Sequence, residues 1–320
     1  MHQYNIYLFI IFLYINYMNY KHIIIFIMIL ILLFLLNNSY EKMSEEYVYE
    51  FFDNPPIHEK QNSTVGLITF MRKPIDLSLW FKHHRAIGVT HFFIRVEDTP
   101  ELEDYLQNQK DVTFEMGNSN KDGDNYMTLF ERQITFINDT LIKAQNMGID
   151  WVFNVDVDEL LHGRLKILDN IDSNYKCLKL ENAEAIYREE EATCFSAVKF
   201  LRCGKNAPCR AYANGKSAAR PEKGVESQGV HNFAYNNNIE GKNIYNVPFE
   251  DLHILHFDAC SLGSWIEKYY HLSKKSKNNI PFPYYYQSID ASVKAFDVYK
   301  KHTIDYANNV HNTLIYNRND

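Results

Sequence analysis

Several patterns that mark common classes of protein are missing from this chain of 320 residues. Basic residues are not in excess, because the formal net charge is −7, and this argues against a nucleic-acid partner. A glycine precedes Lys216, but no Walker sequence surrounds it, so the chain lacks a P-loop. No internal repeat indicates a repeat architecture. The chain is 46% hydrophobic, which is enough for the core of one large domain or two small ones.

Cysteine patterns typical of stable cross-links or zinc sites are also missing. The five cysteines are Cys177, Cys194, Cys203, Cys209 and Cys260. An odd number in a chain this long does not predict a disulfide framework, although Cys203 and Cys209 could close a small loop in an oxidising compartment. We expect reduced thiols, partly buried near the core. Because there is no Cys-x-x-Cys pair and no histidine at finger spacing, the sequence argues against a zinc site.

Two apolar stretches, residues 6–18 and 23–36, lie at the amino terminus. The second has fourteen consecutive apolar residues, which as a helix would span about 21 Å, short of a bilayer core of roughly 30 Å. No small-x-small cleavage site follows Leu36, which disfavours a signal peptide. We therefore predict an N-terminal hydrophobic helix within residues 1–42 that acts as an uncleaved signal-anchor. It would contact the membrane through residues 6–36 and leave the rest of the chain in the lumen.

An alternative start lies at Met43. The sequence Met43-Ser44-Glu45-Glu46 resembles the beginning of an ordinary soluble protein, and a product that starts there would be cytoplasmic. Residues 43–63 are polar and contain Pro55-Pro56, which is typical of a linker before a folded domain.

Strands and helices alternate along the chain after this linker. Strands are predicted at 64–70, 91–96, 112–116 and 151–155, and helices at 77–87, 101–109 and 126–145, with Gly88 and Gly148 after the first and last helices. The alternation predicts a Rossmann-like α/β domain over residues 64–310, with a mostly parallel sheet and helices on both faces, and a tail at 311–320. Later strands at 177–180, 197–201 and 252–257 should extend the same sheet, residues 202–250 should form long loops, and helices should follow at 264–277 and 289–308.

The most informative segment is Trp151–Leu160, in which an apolar run ends at Asp156-x-Asp158. We expect a buried strand that delivers two carboxylates to the carboxyl edge of the sheet, where ligands bind in open α/β folds. Residues two apart on a strand point to the same face, and two hard oxygen donors there suit Mg²⁺ or Mn²⁺, which usually also holds substrate phosphates. The alternative is a solvated acidic turn after the strand.

Two further pairs of polar residues are candidates for binding a ligand. Glu97 and Asp98 close the second strand, should face the same edge as Asp156, and can accept hydrogen bonds from a ribose hydroxyl or a base N–H; alternatively, Asp98 caps the next helix. Lys216 and Arg220 follow a glycine in a predicted loop. A lysine there can neutralise a diphosphate, or it can simply be solvated.

Two histidines later in the chain are candidate metal ligands. His231 lies in Gly-Val-His-Asn-Phe, and His256 lies at the carboxyl end of an apolar strand. An imidazole that binds a metal must be neutral and held by a hydrogen bond to its other nitrogen. A histidine near a strand is otherwise a packed core residue, and the sequence leaves both interpretations open.

Together these segments resemble glycosyltransferases of the GT-A type, most closely family 92 and related family 2-like enzymes. Residues 77–93 resemble the segment L-x-E-W-x-x-x-H-x-x-x-G-V-x-H-F of these enzymes, with Leu79 in place of the acid. Residues 151–160 resemble W-x-x-x-x-D-x-D-E-F, and residues 229–231 and 253–261 resemble their later G-x-H and H-x-x-x-S segments. The set of segments is more specific than any one of them.

The resemblance implies a GT-A fold and a hexosyltransferase-like activity. A sugar would move from a nucleotide sugar, a UDP-sugar in the first place, to a glycan, protein or lipid acceptor. It implies that Asp156 and Asp158 hold Mn²⁺ or Mg²⁺ bridging the donor diphosphate, with His231 or His256 as a further ligand. The ion and Lys216 would stabilise the leaving diphosphate.

An inverting reaction also needs a general base for the acceptor hydroxyl, and Glu226 and Asp258 are the candidates. The sequence departs from the family where Met71-Arg72-Lys73 replaces K-N-E, whose acid helps to bind the nucleotide. Arg72 is therefore expected to take over a phosphate or base contact. The departure favours one alternative, a non-catalytic relative that binds glycans or nucleotide sugars. A metal-dependent phosphoryl-transfer enzyme is another, because Asp-x-Asp also serves that chemistry.

Overall fold

The computed structural model describes residues 48–50, 60–119, 126–186, 194–196, 199–203, 214–258 and 268–269. The chain divides into two compact units, residues 1–48 and 49–320, and apart from Val48 everything described below belongs to the second. The predicted hydrophobic segment at 1–42 lies outside the described residues, as do the predicted helix at 289–308 and nearly all of that at 264–277. Within the described ranges, no helix is long and apolar enough to cross a membrane.

The described strands and helices follow the predicted alternation closely up to residue 154. The strands are β1 Val48–Glu50, β2 Val65–Met71, β3 His91–Glu97, β4 Val112–Gly117, β5 Trp151–Asn154, β6 Glu159–Gly163, β7 Cys177–Leu180, β8 Asn182–Ile186, β9 Lys199–Arg202, β10 Lys216–Ala219, β11 Val225–Ser227, β12 Phe233–Tyr235, β13 Ile244–Asn246 and β14 Leu252–His256. The α-helices are α1 Leu77–Ile87, α2 Glu103–Gln107 and α3 Tyr126–Asn146, and short 3-10 helices lie at Pro100–Leu102, Leu165–Asn170 and Cys194–Ser196.

The main sheet has seven strands in the order β13-β7-β10-β5-β2-β3-β4. Strands β5, β2, β3 and β4 pair in parallel, with α1 between β2 and β3 and α3 between β4 and β5. Strand β10 runs antiparallel to both of its neighbours, β5 and β7, while β13 is parallel to β7. A single reversed strand thus interrupts a sheet that is otherwise parallel, and the predicted mostly parallel α/β fold is confirmed.

Helices cover both faces of this sheet, as predicted. Adjacent residues of a strand point to opposite faces. Leu67 of β2 accordingly packs in one buried cluster with Trp80 of α1, whereas Ile68 packs in another with Phe136 of α3. All of these side chains are at least 95% buried, and each contributes about 1.5–3 kcal/mol from burial of apolar surface.

The local sequence explains helix α1. Its buried residues, Leu77, Trp80, Phe81, His84 and Ile87, recur at helical spacing and form one apolar stripe. The helix ends at Gly88, whose φ of 108° lies in the left-handed region and whose N–H donates to the carbonyl of Arg85 at 3.1 Å. Asp76 precedes the helix but does not cap it, since its Oδ2 accepts a hydrogen bond from the N–H of Cys194 at 2.9 Å.

The second half of the chain departs from the prediction that all later strands extend one sheet. Of the later strands that the structure describes, β7, β10 and β13 join the main sheet, and a second sheet has the order β1-β9-β8-β14-β6. The predicted loops at 202–250 also contain β10, β11, β12 and β13. These strands have three to four residues each, too few to show a period of their own, and their pairing is decided by partners far away in the sequence.

The expectation of reduced cysteines is partly wrong. Cys194 and Cys203 are each disulfide-bonded. Cys177 is a buried free thiol on β7, as expected, and burial together with the nearby charge of Glu222 raises its pKa to about 12. The prediction failed because the count and spacing of cysteines say nothing about which of them the fold brings together.

Candidate active site at the end of strand β5

The main sheet has a topological switch point between β2 and β5. The chain places β3 and β4 on one side of β2 and then returns to place β5 on the other. Connections leave in opposite directions there, which opens a crevice at the carboxyl ends of the two strands where ligands bind in such folds. Asp156 and Asp158 follow β5 at this edge.

The two aspartates lie in a turn rather than on the strand, because β5 ends at Asn154. The N–H of Glu159 donates to the carbonyl of Asp156 at 3.1 Å, and the carboxylate of Glu159 accepts from the N–H of Asp156 at 2.8 Å. The indole N–H of Trp80 also donates to the carbonyl of Glu159 at 2.9 Å. The turn is therefore held at both ends, and the two aspartates point to different partners.

Asp156 points to Lys216, which begins β10. Because β10 is antiparallel to β5, its first residue lies at the carboxyl edge of β5. Lys216 Nζ is 2.6 Å from Asp156 Oδ2 and 3.5 Å from Glu159 Oε2, and the lysine side chain is only 1% exposed. The lysine is thus the buried counter-ion of two carboxylates rather than a solvated side chain.

These charges set the protonation of the turn. Burial alone would raise the pKa of Asp156, but the ammonium of Lys216 outweighs it and lowers the pKa. For Glu159 burial prevails over the attraction of Lys216, and the pKa is raised. Burial opposes the charged form of Lys216, yet the carboxylates overcome it and raise its pKa. Asp156 is therefore a carboxylate at neutral pH.

Gly215 lets Lys216 enter the site. Its φ is +63°, and a Cβ at this position would lie 1.8 Å from the carbonyl oxygen of Leu180, so only glycine permits this approach of the two strands. The carbonyl of Gly215 also accepts the hydrogen bond from His231 Nδ1 at 2.9 Å. The glycine before the lysine was the one local signal in the sequence for this arrangement.

The hydrogen bond to Gly215 fixes the tautomer of the His231 imidazole. A carbonyl only accepts, so Nδ1 carries the proton and Nε2 carries the lone pair, the pattern of a histidine ligand or base. Burial, followed by the nearby ammonium of Lys216, lowers its pKa to about 4. The neighbouring Val230 carbonyl accepts hydrogen bonds from Asn154 Nδ2 at 2.7 Å and Lys216 Nζ at 3.5 Å. The loop with His231 is thereby tied to β5 and β10.

Asp158 points to the second sheet. Its carbonyl accepts the N–H of Phe257 at 2.7 Å, and its Oδ2 lies 4.0 Å from Nε2 of His256, the last residue of β14. His256 is 7% exposed, and its Nδ1 lies 3.9 Å from Glu184 Oε1. The structure thus brings together Asp158 and His256, two residues that the sequence singled out separately.

Two residues that sequence reasoning missed complete this side of the site. Lys268 Nζ is 3.3 Å from Asp158 Oδ2 and 2.9 Å from Asp258 Oδ1, and it also donates to the carbonyl of Asp258 at 3.0 Å. The hydroxyl of Tyr269 lies 3.1 Å from each carboxylate oxygen of Asp258. No motif surrounds these two residues in the sequence, so their role depends on the fold alone.

The donor set of Asp158 and His256 fits a divalent ion such as Mn²⁺. A carboxylate and an imidazole are the ligands that Mn²⁺ accepts and that Ca²⁺ uses less readily. Within the part of the chain that the structure describes, no group of three or more His, Cys, Asp or Glu residues is arranged to hold a metal. An ion here would therefore take its remaining ligands from substrate phosphates and water, as Mg²⁺ and Mn²⁺ commonly do.

Arg72 and Asp98 lie at the same edge, after β2 and β3. They form an ion pair with Arg72 Nη2 2.8 Å from Asp98 Oδ2, and the arginine side chain is 43% exposed. Asp98 does not cap the following helix, because its carboxylate accepts hydrogen bonds from the N–H and the hydroxyl of Ser119 at 2.8 and 2.5 Å. Its φ of 49°, unusual outside glycine, marks a constrained turn at this edge.

Glu97 has a different environment from Asp98. It is 2% exposed, and both of its oxygens accept hydrogen bonds from Arg132 of α3 at 2.7 Å. Arg95 adds a further contact at 3.1 Å. The structure uses this carboxylate to attach α3 to β3 and does not present it to the crevice.

Two other predicted residues are not brought into this cluster. Arg220 follows β10, and since that strand is reversed it lies at the opposite edge of the sheet, about 13 Å along the strand from Lys216. Its guanidinium lies 4.1 Å from the ring centroid of Trp151 and donates to the carbonyls of Tyr175 and Ile171. Glu226 lies on the two-stranded sheet β11–β12, where it accepts from Gln228 at 2.9 Å.

Three solved structures that resemble this chain have low sequence identity and low TM-scores. Similar chains are CMP:2-keto-3-deoxy-manno-octonic acid synthetase complexed with CTP, 4-diphosphocytidyl-2C-methyl-D-erythritol synthase from Anaerococcus prevotii, and CTP:phosphocholine cytidylyltransferase from Streptococcus pneumoniae. The identities are 13%, 10% and 10% and the TM-scores 0.26, 0.27 and 0.28; each match covers 50% of this chain and 75%, 70% and 72% of the other.

Comparison with protein families and curated sequences is more specific. A glycosyltransferase-like protein of Arabidopsis thaliana is 22% identical over an alignment 227 residues long, and the match covers 56% of this chain and 43% of that protein. The matched part thus spans less than half of the relative's length. The model of glycosyltransferase family 92 matches residues 73–294, a range that includes the Asp156 turn, β10, β14 and Lys268. Because this match extends over well more than half of the chain, the resemblance seen in the sequence is confirmed, and the protein is a member of glycosyltransferase family 92.

Proposed function

We propose that the protein transfers a sugar from a nucleotide-sugar donor, a UDP-sugar in the first place, to a hydroxyl of a glycan, protein or lipid acceptor. One observation carries the proposal: in a family 92 chain, the ionised Asp156 and the Asp158–His256 pair meet at the switch point of the sheet. This is the edge where the phosphates of a nucleotide bind in related architectures.

Asp158 and His256 would hold Mn²⁺ or Mg²⁺, which when bound stabilises negative charge on the departing diphosphate. Asp156, whose Oδ2 is engaged by Lys216, keeps its other oxygen for a ribose hydroxyl or the ion. Lys216 then acts through Asp156, because a side chain only 1% exposed does not reach a ligand in the crevice. His231 offers a neutral imidazole on the same side as Asp156.

Asp258 is the better placed of the two predicted bases. It lies beside Asp158 through their common partner Lys268, and Tyr269 orients its carboxylate. In the proposed transfer, Asp258 takes the proton of the acceptor hydroxyl while the acceptor oxygen bonds to the anomeric carbon. The bond from that carbon to the diphosphate oxygen breaks, and the electron pair leaves with the nucleoside diphosphate.

Arg72 is proposed to contact the donor at the ends of β2 and β3. Its partly exposed guanidinium is positioned by Asp98, and a guanidinium suits phosphate oxygens. Met71-Arg72-Lys73 would in this way compensate for the missing acid of the family segment.

The site is proposed to work in an oxidising compartment. Cys194 and Cys203 are each disulfide-bonded, and disulfides form and persist in compartments such as the lumen of the endoplasmic reticulum. The apolar residues 6–36 would supply the membrane attachment. Protease protection of the full chain in intact microsomes tests this: digestion without detergent would place the domain on the cytoplasmic side.

A thermal-shift screen of nucleotide sugars with Mn²⁺ tests the donor, followed by measurement of donor hydrolysis. A donor that binds the folded state raises its melting temperature. We expect stabilisation by one nucleotide sugar in the presence of Mn²⁺, and release of the nucleoside diphosphate from it. Stabilisation without release would instead support a non-catalytic binding protein. Stabilisation by none would contradict the proposal and favour phosphoryl transfer.

A further inference from the structure

The site contains two lysines with different surroundings. Lys216 is 1% exposed and is enclosed by Asp156, Glu159 and the Val230 carbonyl. Lys268 is 36% exposed and bridges Asp158 and Asp258. A lysine has a flexible four-carbon stem, so a partly exposed ammonium can change partners without opening the core, whereas a buried one cannot.

Two side chains, Lys268 and His256, approach the same oxygen, Asp158 Oδ2. The ammonium of Lys268 lies 3.3 Å from this oxygen, and Nε2 of His256 lies 4.0 Å from it. Two hydrogen bonds of the same ammonium go to Asp258, at 2.9 and 3.0 Å, and are shorter than the contact with Asp158. Lys268 can therefore give up Asp158 while it stays attached to Asp258.

We propose that Lys268 is a resident cation that competes with the divalent ion for Asp158 and then contacts the donor diphosphate. The inference rests on the proposed function and names a residue that the family resemblance did not assign. In the free protein the ammonium balances the charge of Asp158. When the ion binds, the ammonium keeps its bonds to Asp258 and turns to the phosphate oxygens, where a positive charge stabilises the leaving group.

Competition and a purely structural role of Lys268 predict different effects on ligand binding when the lysine is removed. If Lys268 only supported the site, its removal would weaken the binding of every ligand. If it competes, its removal tightens the binding of the ion alone but weakens the binding of a nucleoside diphosphate in the presence of the ion. The two effects have opposite signs and are measured without any turnover.

The experiment compares the full-length protein with Lys268→Met. Binding of Mn²⁺ alone is followed by electron paramagnetic resonance of the free ion, and binding of UDP at saturating Mn²⁺ by calorimetry. We expect Lys268→Met to bind Mn²⁺ about tenfold more tightly, or about 1.4 kcal/mol, since a partly exposed charge at contact distance has about this effect. UDP should bind at least about tenfold more weakly.

Lys268→Arg and Lys176→Met are the controls. Arginine keeps the charge and should leave both constants within about threefold of the parent. Lys176 is also paired with a carboxylate, at 2.8 Å from Glu222, but is not part of the site, so its replacement should change neither constant. Circular dichroism and thermal melting establish that each variant is folded; if Lys268→Met fails to fold, Lys268→Gln replaces it.

Unchanged or weaker Mn²⁺ binding in folded Lys268→Met would overturn the competition, and unchanged UDP binding would overturn the diphosphate contact. Failure of the parent protein to bind Mn²⁺ would overturn both this inference and the metal of the proposed function. If the parent binds Mn²⁺ but not UDP, the UDP-sugar donor is wrong while the competition is still tested by the ion alone.

Discussion

Replacing Lys216 with methionine tests the buried charges beneath the Asp156 turn. Methionine keeps most of the apolar stem but removes an ammonium that lies 2.6 Å from Asp156 and 3.5 Å from Glu159. Removing one partner of a buried ion pair costs about 3–5 kcal/mol, because the remaining charge has no counter-ion. Here Asp156 is 37% exposed and partly solvated by water, and Glu159 can take up a proton because burial has raised its pKa. We therefore expect a loss of about 2–3 kcal/mol in the free energy of unfolding.

Urea denaturation of the full chain measures this loss. For a domain of this size the free energy of unfolding changes by about 2–3 kcal/mol per molar urea, so the midpoint should fall by about 1 M. Lys216→Arg should retain most of the stability because it keeps the charge. Lys176→Met should shift the midpoint by less than about 0.3 M, since its ion pair is partly exposed.

The pH dependence separates lost charge from lost packing. In the parent, Asp156 has a lowered pKa, so its ion pair contributes stability above the ordinary pKa of the group and loses it as the pH falls. In the variant the carboxylates have no counter-ion and favour the protonated form, so the penalty shrinks as the pH falls. The midpoint difference should thus be largest near pH 8 and smaller near pH 5. A difference that is absent at pH 8, or constant with pH, would refute the reasoning.

Three further predictions concern the site and its support. Asp158→Asn should reduce sugar transfer at least about a hundredfold with little change in melting temperature, because the side chain is 30% exposed and has no packing role; unfolding of the variant, or normal activity, would contradict this. Burial lowers the pKa of His231 and of His253 to about 4, so between pH 6.5 and 4 the unfolded chain binds more protons than the folded chain. The free energy of unfolding, measured by urea denaturation, should therefore fall by about 2 kcal/mol for each histidine between pH 7 and 5. This fall should be smaller in His253→Gln. Gly215→Ala should cost well over about 2 kcal/mol, because its Cβ would lie 1.8 Å from a carbonyl oxygen; Gly148→Ala, also at positive φ but with nothing within 4 Å, should cost only the backbone strain of about 1–2 kcal/mol.

The local sequence determined much of the first half of the fold. Helix α1 was predicted with its observed ends, because an apolar stripe at helical spacing stops at a glycine, and both signals lie within a dozen residues. The buried strand β5 and the two carboxylates after it were predicted for the same reason, but the expectation that Asp156 and Asp158 share one face of the strand was wrong, because β5 ends at Asn154. Where a strand has a long apolar run, its own residues specify that it is buried, whichever neighbours it finds.

Only the tertiary structure decided which side chains meet. The reversal of β10 brings Lys216 to Asp156 and carries Arg220 to the other edge, although both belong to one short segment. The second sheet brings His256 to Asp158, and the fold of the later chain brings Lys268 there. Strand direction and sheet membership depend on hydrogen bonds between residues up to about a hundred positions apart, and neither periodicity nor turn residues report such partners. The sequence therefore predicted the two carboxylates and their edge of the sheet, while the turn that carries them and the cations that surround them depended on the tertiary structure.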